Sequence, residues 1–496
     1  MRSASSASDL GSLGRLLLPL ALAAGAAVIL SRGLVTARLD YAILAAAAGA
    51  IFILVFLKTE LGLYLVILSM LLSPEFAVGG GVAERRQVVF RTEDFLLLVI
   101  AVSWLAKTAV NKELGLVLKT PLNRPIFAYV AVNAIATTLG ALTGTVHGIS
   151  GFFYVLKYVE YFVVYFIVVN NVSERAQVRR LILVAFVTAA LASLVGIAQI
   201  PSGQRVSAPF EGEEGEPNTF GGYLLFIMAL LLGLALETPN LRTRLVSLAL
   251  TGLCLGPFAF TLSRASYLGF VPMLGALAVL SSRRRLVVTT LVFALTASPL
   301  FLALAPDPVV KRVRYTFEPE ADQPTVRLGK VGFDPSTSAR LISFSQALEG
   351  WQRRPILGYG VTGFGFMDAQ YARTLVETGV IGLAAFLWMV VAVVRLGIHR
   401  ARSLTIPEDR GLAVGFTAGT IGLLTHAIGA NSFIIVRVME PFWLFAGIVV
   451  LLPTLAGSGG ALGTRLGARS GSLPPARSSW RIAPPPGSRE TNGPAG

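Results

Sequence analysis

Long apolar runs separated by short polar breaks repeat along the chain from about residue 16 to about residue 456. Runs of roughly 15 to 25 residues can cross about 30 Å of hydrocarbon as helices. The helix is the form that lets each backbone group find its partner within the segment. The pattern predicts about fourteen such spans, at 16–31, 41–57, 60–74, 93–109, 124–142, 152–170, 179–200, 219–237, 244–262, 266–281, 287–305, 376–396, 410–429 and 435–456. The expected fold is therefore an all-α polytopic membrane protein. The first run starts near Leu16 and lacks a cleavage signal, so it is expected to stay as an anchor.

One interval breaks the rhythm. Residues 306–375 contain no span, and connections beyond about 12 to 15 residues usually carry function or are disordered. Inside this loop Leu341, Phe344, Leu348 and Trp351 recur at helical spacing over 338–353, with Arg340 near the start and Pro355 just past the end. That predicts an amphipathic helix lying on the membrane surface or capping a cavity. The expected organisation is eleven spans in 1–305, a long outer loop at 306–375, three spans in 376–456 and a tail at 457–496. The tail is rich in Pro, Gly, Ser and Arg, has little apolar surface to bury, and is expected to be disordered.

Composition supports this class: 54% of residues are hydrophobic, 14% are charged, and the mean hydropathy is +0.70. Orientation follows from basic residues in short loops, which favour the cytoplasm. Lys107, Lys112, Lys119 and Arg124 mark one such loop; Arg175, Arg179 and Arg180, Arg242 and Arg244, Arg283 to Arg285, and Arg395, Arg400 and Arg402 mark others. These loops are separated by pairs of spans, so both termini are expected in the cytoplasm. Arg32, Arg38, Arg85, Arg86 and Arg91 then fall on outer loops, against the rule. The net charge of +15 is topology signal and basic tail, with no role in nucleic-acid binding expected. A single cysteine, Cys254, excludes a disulfide framework.

Gly358, Gly360 and Gly363 spell G-x-G-x-x-G. Outside a strand-to-helix turn this pattern has no nucleotide-binding meaning, and tight backbone turning is the expected use. There is no P-loop, H-E-x-x-H or G-x-S-x-G pattern, and the three histidines, His147, His399 and His426, are far apart in sequence. No metal site or cofactor is expected. Arg205, Arg264 and Arg340 all fall on the outer side of the expected topology, which suits an anion at a membrane surface. The bland alternatives are solvated loop residues for Arg205 and Arg340 and headgroup contact for Arg264.

Four patterns together resemble a known family. They are Arg205-Val-Ser-Ala-Pro with Pro217-Asn218 opening a span; Thr261-Leu-Ser-Arg264-Ala-Ser-Tyr-Leu-Gly269; Ser338-Ala-Arg340 leading to Trp351, Pro355 and Gly358-Tyr-Gly360; and Asp368-Ala-Gln-Tyr371 leading to Leu375-Val-Glu377-Thr-Gly379. The chain resembles the O-antigen ligase and Wzy-type polysaccharide polymerase superfamily of bacterial inner membranes, over about 150–390 in motif terms.

The resemblance implies a GT-C-like glycosyltransferase at the periplasmic face. It would move a glycan from an undecaprenyl-pyrophosphate carrier to a glycan or lipid acceptor, inverting the anomeric centre without a metal. Membrane lipids and other polysaccharide-assembly proteins are the implied partners. Fixed guanidinium groups suit a departing pyrophosphate because they stay charged and bind oxygens in pairs. Arg205, Arg264 and Arg340 are the expected clamp, with Lys157 joining the donor site and Asn218, Tyr371 and Glu377 supporting it.

Asp368 stands where the family carries His-Asn, and is expected either to act as the base or to cap a loop. The change favours an exopolysaccharide or O-antigen polymerase, with a ligase as the alternative. A flippase or secondary transporter is the alternative of another class. It predicts internal repeats and broken helices with polar groups near the bilayer midplane. Lys157 with Glu160, and Arg437 with Glu440, each three apart, are expected to form internal ion pairs.

Overall fold

The computed structural model describes residues 39–73, 75–77, 89–110, 119–146, 150–211, 215–296, 308, 310–311, 327–328, 331–332, 335–365 and 367–467. The expected first span, His147 and most of the expected tail lie outside them. By its internal packing the chain divides into one unit up to Pro453 and a second from Thr454.

The described residues form fourteen α-helices: α1 (Leu39–Leu57), α2 (Thr59–Leu72), α3 (Thr92–Val110), α4 (Asn123–Leu142), α5 (Ser150–Asn171), α6 (Arg175–Gln199), α7 (Pro217–Glu237), α8 (Leu241–Phe260), α9 (Arg264–Leu280), α10 (Arg284–Thr296), α11 (Pro335–Arg353), α12 (Gln370–Ser403), α13 (Pro407–His426) and α14 (Val436–Gly467). Two small antiparallel ribbons accompany them, Glu75–Ala77 with Val89–Arg91 and Arg327–Leu328 with Val331–Gly332. The expected helical membrane fold is present.

Seven of the helices are long and apolar enough to cross a membrane, and shorter apolar helices include Thr59–Leu72 and Arg264–Leu280. The expected figure of about fourteen spans is thus not reproduced helix for helix. The amphipathic α11 is one of the fourteen helices but no span, and α14 continues to Gly467, past the span end expected at 456.

Burial separates the centre of the bundle from its rim. Of their apolar stretches, 89% is buried in α7 and in α14 but only 22% in α8, so α8 faces lipid and the first two form the core. Close approach of α7 and α13 depends on Gly233 and Gly415, where an added methyl would strike the backbone of the other helix. At the far end of α7, the buried Glu237 carboxylate accepts from Ser281 Oγ (2.8 Å), Ser282 N (2.7 Å) and Arg410 Nε (2.7 Å), tying α7, α9 and α13 together. Arg175 with Asp409 and Arg180 with Glu60 add ion pairs to other helices at their expected cytoplasmic ends.

α11 begins three residues before the expected 338 and ends at Arg353, as expected from Pro355. Its buried contact is not the expected apolar stripe. Ala347 packs against Met367, Ala369, Ala372 and Val376, whereas Leu341, Phe344 and Leu348 stay exposed. The small side chain faces the protein because the helix lies close against α12, and the large ones point outward.

α12 is two helices joined at Gly379, whose φ of 67° and ψ of −168° suit glycine alone. The glycine-rich segment fills this break. Tyr359 N and Gly360 N donate to Val376 O (3.1 Å) and Glu377 O (2.8 Å), while Val380 N and Ile381 N donate to Pro355 O (2.9 Å) and Ile356 O (3.3 Å). Gly358 and Gly360 take positive φ to make the passage. The G-x-G-x-x-G pattern is therefore a backbone plug, consistent with the expectation of tight turning.

Candidate functional site

A cavity of about 450 Å³ opens where α5, the start of α7, the start of α12 and the 430–436 turn meet. Arg91, Lys157, Arg205 and Arg373 line it, together with Asn218 and Asp368. Four cations against two carboxylates, Asp368 and Glu216, leave the space electropositive on balance, the arrangement that a dianionic group needs.

Each side chain is positioned by its element. Pro217 opens α7 at a position where its missing N–H costs nothing, and Asn218 follows it into the cavity wall. Ser263 caps α9 by accepting from Ser266 N (3.3 Å) and donates its hydroxyl to Asn218 Oδ1 (2.8 Å). Arg205 donates Nε to Thr261 O (2.9 Å) and Nη2 to Leu262 O (3.4 Å), so the end of α8 holds its guanidinium. Lys157 reaches from α5 to Asp94 on α3, at 3.0 Å. Arg373 is buried, pairs with Glu377 at 3.2 Å one turn along, and lies over the Tyr154 ring at 5.8 Å. Glu377 Oε1 also accepts from Thr362 N (3.1 Å).

The turn before α12 is fastened from the other side. Asn431 Nδ2 donates to Met367 O (2.8 Å), and Phe433 N donates to Gln370 Oε1 (3.1 Å). Asp368 sits on this turn and accepts from Arg340 Nη2 at 3.1 Å. Arg340 thus reaches the site through Asp368. Among the described residues no three His, Cys, Asp or Glu side chains gather to hold a metal ion.

Of the expected residues, Arg205, Lys157, Asn218 and Asp368 share the cavity. Arg264 opens α9 next to Ser263, behind Asn218, and is not among the lining residues. Tyr371 turns away: its hydroxyl donates to Leu424 O (2.7 Å), and its ring meets Phe386 edge-on. Both expected local ion pairs are replaced by longer reaches. Lys157 pairs with Asp94 and not Glu160, and Arg437 pairs with Glu211 at 3.2 Å and not Glu440. Side chains three apart on a buried helix face compete with partners on neighbouring helices, and here the neighbours offer better-placed oxygens.

Two lining cations were not among the expected site residues. Arg91 stood among the outer residues that break the charge rule, and Arg373 lay inside the fourth quoted pattern. An arginine one turn before a glutamate, at the mouth of an apolar span, was the signal available for the second.

Residues 249–387 match the family model described as O-antigen ligase. That stretch carries the signature of the O-antigen ligase and Wzy-type superfamily. It runs from within α8 through the first part of α12, so it contains Arg264, Arg340, Asp368, Arg373 and Glu377. Arg91, Lys157, Arg205 and Asn218 come from outside it, yet the fold brings them onto the same cavity. A comparison with curated proteins gave no match.

Proposed function

We propose that the chain transfers glycan repeat units from an undecaprenyl-pyrophosphate carrier at the periplasmic face of the inner membrane, acting as an O-antigen or exopolysaccharide polymerase. The observation that carries this reading is the convergence of Arg91, Lys157, Arg205 and Arg373 on one cavity with Asp368. As the glycosidic bond to the carrier breaks, negative charge grows on the pyrophosphate, and fixed guanidinium groups stabilise it more than they stabilise the ground state. Arg205 and Arg373 hold the phosphates, Lys157 adds charge, and Arg340 orients Asp368. Asp368 accepts the proton of the attacking acceptor hydroxyl, which adds to the anomeric carbon from the face opposite the leaving pyrophosphate.

The carrier's tail has a matching place. An apolar groove of about 180 Å³ between α3 and α5, lined by Phe95, Leu98, Leu156 and Val163, shares Phe153 and Lys157 with the cavity. A polyprenyl chain lying there leaves its pyrophosphate among the cations. A ligase reading draws on the description of the matching family, and differs only in the acceptor.

The test is a gel of lipid-linked and surface glycans from a deletion strain carrying wild type, Arg205→Ala, Arg373→Ala or Asp368→Asn. Single repeat units held on the carrier by the variants support a polymerase. Long lipid-linked chains point to the ligase. Normal glycan in all three would sink the enzyme reading.

A further inference from the structure

A second cavity of about 710 Å³ lies beside the first, and Arg205, Gly215 and Pro217 line both. Its remaining wall differs in chemistry. Gln199, Ser202, Gln204 and Ser207 contribute neutral amides and hydroxyls, and Phe210 contributes a ring that is 59% exposed. Glu211 borders the space, but its carboxylate is committed to Arg437 and to the backbone of Ala208 (3.1 Å) and Glu216 (2.8 Å).

The exposed ring is held in place at a cost. Phe210 has φ of 62°, a left-handed conformation that a bulky side chain rarely adopts. Arg437, fully buried on α14, fixes the turn on both sides: it donates to Pro209 O at 3.1 Å and pairs with Glu211 at 3.2 Å. A backbone so constrained presents the ring outward, and positions of this kind gather at functional sites.

An exposed ring above a wall of amides and hydroxyls fits one ligand class. A sugar offers apolar C–H faces to stack on an aromatic ring and hydroxyl edges that both donate and accept. We infer that this second cavity is a saccharide subsite that holds the acceptor glycan, with Phe210 as its stacking platform and Gln204 and Ser207 reading hydroxyls. This rests on the transferase reading above for the word acceptor. The shared wall at Arg205 then sets the acceptor's terminal hydroxyl against the donor's anomeric carbon. Lipid contact is the competing explanation for an exposed ring, and the neutral polar wall argues against it.

The experiment uses the full chain in lipid nanodiscs and oligosaccharides released by mild acid from the host's own surface glycan, with binding read by saturation-transfer NMR. Phe210→Ala and Gln204→Ala are each expected to weaken binding about tenfold, with unchanged melting midpoints, while Phe210→Trp retains it. Equal binding by wild type and both alanine variants overturns the proposal, as does absence of binding by wild type. Quenching by brominated lipid of the extra emission that Phe210→Trp adds would place the ring in the bilayer and also overturn it. If wild type binds the oligosaccharide through Phe210 but transfers no glycan from a polyprenyl-pyrophosphate donor, the subsite stands and the transferase reading falls.

Discussion

Arg340 Nη2 donates to Asp368 Oδ2 at 3.1 Å, joining the start of α11 to the turn before α12. The pair links the amphipathic α11 to the wall of the cationic cavity. Groups that act as a unit are non-additive on removal. Asp368→Asn is expected to lower glycan transfer by about 10² to 10⁴-fold, the range of a positioned base. Arg340→Ala is expected to cost nearly as much, and the double variant no more than the worse single. Single-turnover rates with extracted lipid-linked donor would show this, and simple multiplication of the two losses would separate their roles.

Arg373 supplies charge from a buried position, so its geometry matters beyond its sign. Arg373→Lys keeps the charge but loses the paired donors, and donor affinity is expected to fall about tenfold. Glu377→Ala would leave Arg373 buried without its partner and is expected to cost about 3 to 5 kcal/mol of stability. Donor titration addresses the first expectation and thermal melting in detergent the second.

At Gly379 any side chain meets a forbidden backbone region. Gly379→Ala is expected to destabilise the fold by about 1 to 3 kcal/mol and to depress activity further by shifting the helix half that carries Arg373. Melting and transfer measured together would test it; normal behaviour in both would contradict the account of the break.

Glu211 gives a pH signature. Burial pushes its carboxyl from the ordinary 4.5 up to about 7, although Arg437 beside it pulls the other way. The folded state therefore holds a proton that the unfolded chain releases near 4.5. The resulting stabilisation is complete below pH 4.5 and is lost as pH rises through about 7. Glu211→Gln is expected to flatten the melting midpoint across that window, and an unchanged slope would count against the assignment.

The fold was legible from hydropathy because a span announces itself by length alone. Boundaries set by chemistry were also readable: Pro355 ended α11 and Pro217 opened α7. Arg205, Asn218 and Asp368 were named for the patterns that carry them and Lys157 for its place near the outer end of its span, and the four line one cavity. Arg373 and Arg91 were not placed with them, since nothing in a linear pattern says that a turn at 367–370 and a ribbon ending at Arg91 meet the same space. The partners of Lys157 and Arg437 were misread for the same reason: sequence spacing reports neighbours on one helix, and the bundle supplied closer ones. The inward face of α11 was missed because a helix pressed close to its neighbour buries alanine and leaves its larger residues outside.

The break in α12 makes one continuous stretch of chain into two mechanical parts. The part that bears Arg373 is hydrogen-bonded to the 355–360 segment, and that segment continues directly from the helix that bears Arg340. Because Pro355 and Ile356 also accept from Val380 and Ile381, the same segment clasps both parts across Gly379 and sets Arg340 and Arg373 on one shared backbone frame.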